Sequence, residues 1–299
     1  MTDAVNFRPR RSCLYMPGAN PRALEKARTL PADTLILDLE DAVAPDAKAD
    51  ARALVKSVLS ADVYGLKEIV VRINGIDTLW GMDDLAMVVE AEPEGILAPK
   101  VTSAADIRRL DDMLSAAGAA PSLQLWVMIE MPLAILNIHE IAAAAATTRL
   151  AGFVMGTNDL AKEMNAQTNA DRTAFHYALS ASVMAARAFG LFCIDGVYND
   201  FRDPAGLQHE CEHGRLLGFD GKTLIHPDQL SIANEVFSPD PADVEQAIAV
   251  IAAFDLPENQ GKGVIQVNGR MTELLHLEEA RKLVAIDTAI RQVNAMNNV

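Results

Sequence analysis

The sequence predicts an α/β protein in which eight parallel strands close into a (β/α)8 (TIM) barrel, followed by a C-terminal helical lid or oligomerisation extension. Three observations carry that prediction. Short apolar runs rich in β-branched residues recur eight times along the chain. Helix-length stretches separate them, and each run ends in polar, Gly or Pro residues, as strands do at the mouth of a barrel. At 299 residues the chain exceeds the roughly 250 of a lone barrel, so residues 1–237 are assigned to the barrel and 238–299 to the extension. A doubly wound sheet would need fewer strands and a glycine-rich phosphate loop after the first; neither is seen.

The first strand is Cys13–Met16, broken by Pro17-Gly18, after which Asn20-Pro21 reads as an N-cap and first helical position. Thr34–Asp38 is the second strand and runs into Glu40 and Asp41. Helical spacing over Ala51–Val58 leads to the third, Glu68–Ile73, with Arg72 near its end. Gly95–Ala98 is the fourth, capped by Pro99-Lys100. The fifth, Leu123 to Ile129, is almost unbroken apolar sequence, the pattern of a strand buried on both faces, and stops at Glu130. An alanine-rich helix over Ile138–Ala146 precedes the sixth strand, which ends at Gly156–Asp159. A helix over Ala174–Phe189 precedes the seventh, Leu191–Ile194, and Gly221–Ile225 is the eighth, ending in His226-Pro227. Beyond the barrel, Ser238-Pro-Asp-Pro241 starts a helix over Val244–Phe254, residues 258–263 are polar and glycine-bearing, and a last helix runs from about Met271.

Half the residues are hydrophobic, enough for a large core, and the net charge is -15 with a pI near 4.8. That balance excludes general nucleic-acid binding, which needs a basic face to displace counterions. Locally it reverses: in residues 1–30 the six basic residues Arg8, Arg10, Arg11, Arg22, Lys26 and Arg28 outweigh Asp3 and Glu25, leaving +4. The excess suits either an anionic small molecule or a solvated arm. Three scattered cysteines give no disulfide framework and fit a reducing cytoplasm. No apolar run reaches about 18 residues, so neither a membrane span nor secretion is expected.

Glu130 and Asp159 close consecutive strands and would face one mouth. Mg2+ takes six oxygens and keeps several waters, so two carboxylates plus substrate oxygens suffice to hold it, with Mn2+ as an alternative occupant. Asp159 equally fits an N-cap for a helix starting near Leu160, and Glu130 an ion-pair partner for a rim arginine. Asp38, Glu40 and Asp41 lie one barrel position from Arg72 and would orient water on the metal or neutralise Arg72 and Lys100. His209-Glu-Cys-Glu-His213 matches the H-E-x-x-H pattern but precedes the eighth strand, which places it on an outer helix away from the mouth. His226 reads as a substrate contact or a capping histidine.

These residues together resemble the citrate lyase beta subunit family of acyl-CoA lyases, within the HpcH/HpaI aldolase superfamily. The resemblance rests on Arg-Ser-Cys-Leu-Tyr-Met-Pro-Gly (11–18), Leu-Asp-Leu-Glu-Asp-Ala-Val (37–43), Arg-Ile-Asn-Gly (72–75), Pro-Lys (99–100), Ile-Glu (129–130), Gly-Thr-Asn-Asp-Leu (156–160) and Gly-Lys-Thr-Leu-Ile-His-Pro-Asp-Gln (221–229). It implies a homotrimer or hexamer, Mg2+ on Glu130 and Asp159, Arg72 on the substrate oxygens, and CoA along Pro17-Gly18 with Arg22 and Lys26. Family lyases carry a Gly-x-Met-Ile-Asp tail whose aspartate enters a neighbouring subunit's site as acid/base. Here the matching run is Gly269-Arg-Met-Thr-Glu273, a carboxylate one methylene longer.

The implied reaction is reversible carbon-carbon cleavage of a 3-hydroxyacyl-CoA such as malyl-, citramalyl- or citryl-CoA into an acyl-CoA and a 2-oxo acid. Glu273 would be the acid/base and Arg72 would stabilise the enolate or the oxo acid's carboxylate. Two alternatives stay open. One is a thioesterase acting on a malyl-type CoA ester, and the other a beta subunit that works only within a citrate lyase complex.

Overall fold

A computed structural model describes residues 7–297. Eight strands fall on the apolar runs: β1 (Ser12–Pro17), β2 (Thr34–Asp38), β3 (Glu68–Arg72), β4 (Gly95–Ala98), β5 (Gln124–Ile129), β6 (Leu150–Met155), β7 (Phe192–Asp195) and β8 (Gly221–Leu224). They pair in parallel in chain order and β1 closes against β8, making a closed barrel. Around it lie α1 (Pro21–Ala27), α2 (Lys48–Ser60), α3 (Gly81–Ala91), α4 (Ala104–Ala116), α5 (Pro132–Leu136), α6 (Ile138–Ala143), α7 (Thr157–Met164), α8 (His176–Ala188), α9 (Pro204–Leu217) and α10 (Leu230–Val236). Local chemistry sets several starts. Asn20 accepts the Ala23 N–H with Pro21 at the first position of α1, Ser103 and Asp106 form a capping box on α4, and Asp203 with Pro204 opens α9.

Strand side chains alternate between two cores. Cys13, Ile36, Val70, Leu97, Trp126, Val154 and Ile194 fill the barrel, while their neighbours Leu14, Leu35, Val71 and Ile96 pack outward under the helices. The N-terminal end of the barrel is plugged. Trp126 and Phe192 meet edge to face with ring centroids 4.5 Å apart, and the Arg10 guanidinium covers Phe192 at 4.1 Å. Arg10 is held there by paired 2.7 Å bonds to Glu68. Chemistry is therefore left to the C-terminal end, where β2, β3 and β5 deliver Asp38, Arg72 and Glu130.

Two outward-facing strand residues are charged and fully buried, Asp195 on β7 and Lys222 on β8. Lys222 Nζ donates to the Gly196 carbonyl at 2.6 Å and to Glu210 of α9 at 2.7 Å, and stands 3.3 Å from Asp195. Arg172 Nη1 reaches both Asp195 oxygens at 2.7 Å. Two cations face two anions, which is what makes burial of Asp195, Lys222 and Arg172 tolerable. Cys13, Cys193 and Cys211 are free and buried.

Residues 10–237 form one compact unit, and residues 238–297 with the segment 7–9 form another. The second contains α11 (Pro241–Asp255), β9 (Val264–Val267), β10 (Arg270–Glu273) and α12 (Leu274–Asn297). Val250, Phe254, Ile265, Val267, Leu277 and Ala280 make its core. Here the expected helix from Met271 is corrected: it starts at Leu274, and the residues before it pair with β9 as an antiparallel hairpin. The turn is Asn268-Gly269, both at positive φ (49° and 78°), the conformation a two-residue hairpin loop requires and Asn-Gly supplies. Asp159 is also displaced from its expected place, standing in the first turn of α7 instead of at the end of β6.

Candidate active site

At the C-terminal end of the barrel the lining of a cavity of about 370 Å³ includes Tyr15, Pro17, Asp38, Asp41, Arg72, Glu130 and Asp159. Arg72 points inward from the end of β3. Its Nε and Nη2 grip the two Asp38 oxygens at 2.7 and 2.6 Å. Asp38 in turn accepts the N–H groups of Glu40 and Ala42, so the loop after β2 and the guanidinium are fixed together. That leaves Nη1, which stands 3.0 Å from Glu40 and 3.3 Å from Asp41. The Glu40 contact lacks hydrogen-bond geometry, and its buried Oε2 has no aligned donor. Burial pushes the Glu40 carboxyl up to about 8; Arg72 opposes the rise, and Asp41 and Glu130 add to it.

Glu130 is the residue immediately after β5 and is completely buried. Its Oε1 accepts the backbone N–H of Lys100 at 2.7 Å, whereas Oε2 has no hydrogen-bond partner among the described residues. Lys100 Nζ bonds Asp159 Oδ2 at 2.6 Å and stands 3.4 Å from Glu130 Oε1. The two carboxyls also lie within hydrogen-bonding reach of each other. Burial raises the Glu130 carboxyl to about 7, against the Lys100 charge and N–H and with the help of Asp159. Asp159 moves the other way: burial would raise it, but the bond and charge of Lys100 hold it below the ordinary range. Two close carboxylates, one carrying an orphaned buried oxygen, are a donor set suited to a hard divalent cation. Beside them α7 has Gly156 at its N-cap and so no side-chain cap, and an uncapped helix N-terminus at the cavity favours an anion.

The remaining expected site residues are scattered. Gly18 donates its N–H to the Asp38 carbonyl, while Arg22 and Lys26 stand exposed on α1. Glu273 belongs to the C-terminal unit, exposed at the end of β10, where its N–H is donated to His276 Nδ1. His226 caps the turn at Pro227–Gln229 through the Asp228 N–H and stacks on Phe201 at 4.6 Å. The H-E-x-x-H motif lies on α9, with Glu210 bonded to Lys222 and His213 Nδ1 accepting from Arg172. Lys100 is the residue that sequence reasoning undervalued, since it appeared there as a strand cap, a charge to be neutralised and half of a Pro-Lys motif, with no role in the site. No residue pattern announces its contact, because the contact needs a left-handed backbone (φ 57°) at a non-glycine position.

A closed parallel barrel with two close carboxyl groups and a fixed arginine at its C-terminal mouth is the class of protein that the fold and site define. Comparison with known proteins gives the family: residues 11–227 match the HpcH/HpaI aldolase/citrate lyase model, and the chain belongs to that family. It is 50% identical to a (3S)-malyl-CoA thioesterase of Cereibacter sphaeroides over 96% of this chain and 98% of the relative. It is 34% identical to the citrate lyase subunit beta of Escherichia coli over 93% of each. Among solved structures it resembles the protein CitE from Mycobacterium tuberculosis in complex with magnesium, acetoacetate and coenzyme A. That match has a TM-score of 0.74 and 27% identity, covering 95% of this chain and all of that one.

Proposed function

We propose that this chain is a Mg2+-dependent enzyme of short, carboxylate-ended hydroxyacyl-CoA esters, and that its main reaction is hydrolysis of a malyl-CoA-type thioester. The observation that carries the metal is the Glu130–Asp159 pair with its orphaned Oε2. The extensive likeness to a malyl-CoA thioesterase supports the choice of reaction. Bound there, Mg2+ would polarise the substrate oxygens as a Lewis acid.

The other steps fall to the protein. The N-terminus of α7 and Arg72 Nη1 take the substrate's carboxylate and the negative charge that develops on its carbonyl oxygen. Asp38 keeps Arg72 from wandering. Glu40, with its carboxyl raised to about 8, carries a proton at neutral pH and can hand it on, with Asp41 tuning its charge. Glu273 accepts the proton of the attacking water; the C–S bond breaks and the leaving sulfur takes the Glu40 proton, so that CoA departs as the thiol. Pro17, Gly18, Arg22 and Lys26 lie along the CoA moiety. The assembly proposed is a homotrimer or hexamer in which Glu273 serves a neighbouring chain.

Carbon-carbon cleavage to an acyl-CoA and a 2-oxo acid is the second reading. It is favoured by the buried Arg72–Asp38 grip, which could steady an enolate. Against it stands Glu273, a longer carboxylate than the aspartate of the lyase tail.

Malyl-CoA incubated with the purified chain and Mg2+ should yield malate and free CoA, and EDTA should stop it. Acetyl-CoA with glyoxylate as the main products would establish the second reading. Turnover undiminished in EDTA would remove the metal from the mechanism. Failure on free CoA esters, with activity only beside an acyl carrier subunit, would make the chain part of a larger complex.

A further inference from the structure

We propose that Lys100 is a resident counter-ion of the carboxylate pair, and that its ammonium and a divalent cation hold Glu130 and Asp159 in alternation. The inference rests on the metal reading above and adds an exchange step to it.

The geometry divides Lys100 into two functions. Its backbone, turned to φ 57°, aims the N–H at Glu130 Oε1 over 2.7 Å. Its side chain folds back so that Nζ lies 2.6 Å from Asp159 Oδ2 and 3.4 Å from Glu130 Oε1. Two buried or half-buried carboxylates in reach of each other repel when both are ionised, so they need a positive charge between them. The ammonium supplies it.

A magnesium ion sits about 2.0–2.1 Å from its oxygens, so one held between the orphaned Glu130 Oε2 and Asp159 would share both carboxyl groups with an ammonium that already stands 2.6 Å from Asp159 Oδ2 and 3.4 Å from Glu130 Oε1. Two cations crowded onto one carboxylate pair repel strongly, and one must leave. Arg72 is another cation of the cavity, and it is pinned by both Asp38 oxygens. Lys100 is the mobile partner. Its side chain is 43% exposed, and its unbranched stem can swing the ammonium into solvent without disturbing the N–H bond to Glu130. The backbone thus keeps Glu130 oriented in both states while the charge changes hands.

The test uses the full-length chain, with Mg2+ alone as the probe. Acetylation by an N-hydroxysuccinimide ester is followed at each lysine by mass spectrometry, in EDTA and in saturating Mg2+. The proposal expects Lys100 to label at least about fivefold faster with Mg2+, and the exposed Lys26 to label equally in both. By calorimetry, Lys100→Met should bind Mg2+ about tenfold more tightly than the wild type, a difference of about 1.4 kcal/mol, and Lys100→Arg should not. Lys100 labelling that Mg2+ leaves unchanged or slows would overturn the proposal, as would Lys100→Met binding Mg2+ no more tightly. The labelling arm is read on the wild-type chain and stands even if a variant does not fold. If the wild type binds no Mg2+ at all, both this proposal and the metal reading fall; if it binds and Lys100 does not respond, only the exchange falls.

Discussion

Gly156→Ala tests the metal site through sterics alone, without touching a charge. A Cβ at position 156 would lie 2.4 Å from the Glu130 Cβ and 2.7 Å from its Oε2. Ordinary carbon–carbon contacts are about 3.5–4.0 Å, so Glu130 or the end of β6 has to move by about 1 Å. Neither moves easily, since Glu130 is fully buried and the Gly156 N–H is bonded to the Ile129 carbonyl. Overpacking of this kind costs about 1–3 kcal/mol of stability. A displacement of about 1 Å at a reacting centre costs on the order of 100-fold in rate. The expected result is a folded protein with a modestly lowered melting temperature, weakened Mg2+ binding by calorimetry and about 100-fold less thioester turnover. A variant with wild-type Mg2+ affinity and wild-type kcat/KM would show that Glu130 does not hold the catalytic cation.

Two further predictions concern the buried charge network on the outer face of β7 and β8. Lys222→Met leaves Asp195 with Arg172 but strips Glu210 and the Gly196 carbonyl of their donor. The loss should therefore fall near the lower end of the roughly 3–5 kcal/mol for breaking a buried pair, read as a lower urea midpoint; a loss under about 1 kcal/mol would refute it. His213 is held below the ordinary histidine pKa by burial and by the neighbouring Arg172 and His176. A depressed histidine stabilises the fold above its unfolded-state value of about 6.5 and loses that contribution as pH falls through the folded value. Melting temperature should drop between pH 7 and 5, and less steeply in His213→Asn, which keeps an acceptor and cannot protonate. Equal slopes for the two proteins would exclude His213 as the sensor.

The barrel was legible because its signals are redundant. Leu123–Ile129 could only be a buried strand, and its arrest at Glu130 marked the mouth without any contact being known. Asp159 was harder to place: Gly-Thr-Asn-Asp carries no apolar period, so a strand end and a helix start look alike across it, though both bring the carboxylate to the same cavity. Asp195 follows the seventh apolar run and from sequence looks like any other polar strand end. That it turns outward onto Lys222 and Arg172 depends on strand register and on a loop that lies 23 residues away in sequence. The hairpin in the C-terminal unit has a signal, Asn268-Gly269, but Arg270–Glu273 is short and continues directly into α12, so from sequence it reads as the start of that helix.

The plug of Trp126, Phe192, Arg10 and Glu68 has an evolutionary consequence. With the floor sealed by aromatic packing and an ion pair, a change in substrate must come from the upper strand positions and the loops above. Variants selected for other acyl chains should accumulate at positions such as Tyr15, Met128 and Asn199 while the floor drifts little. Related enzymes of differing specificity would then share a base and diverge at the rim, which makes this scaffold a convenient one for directed evolution.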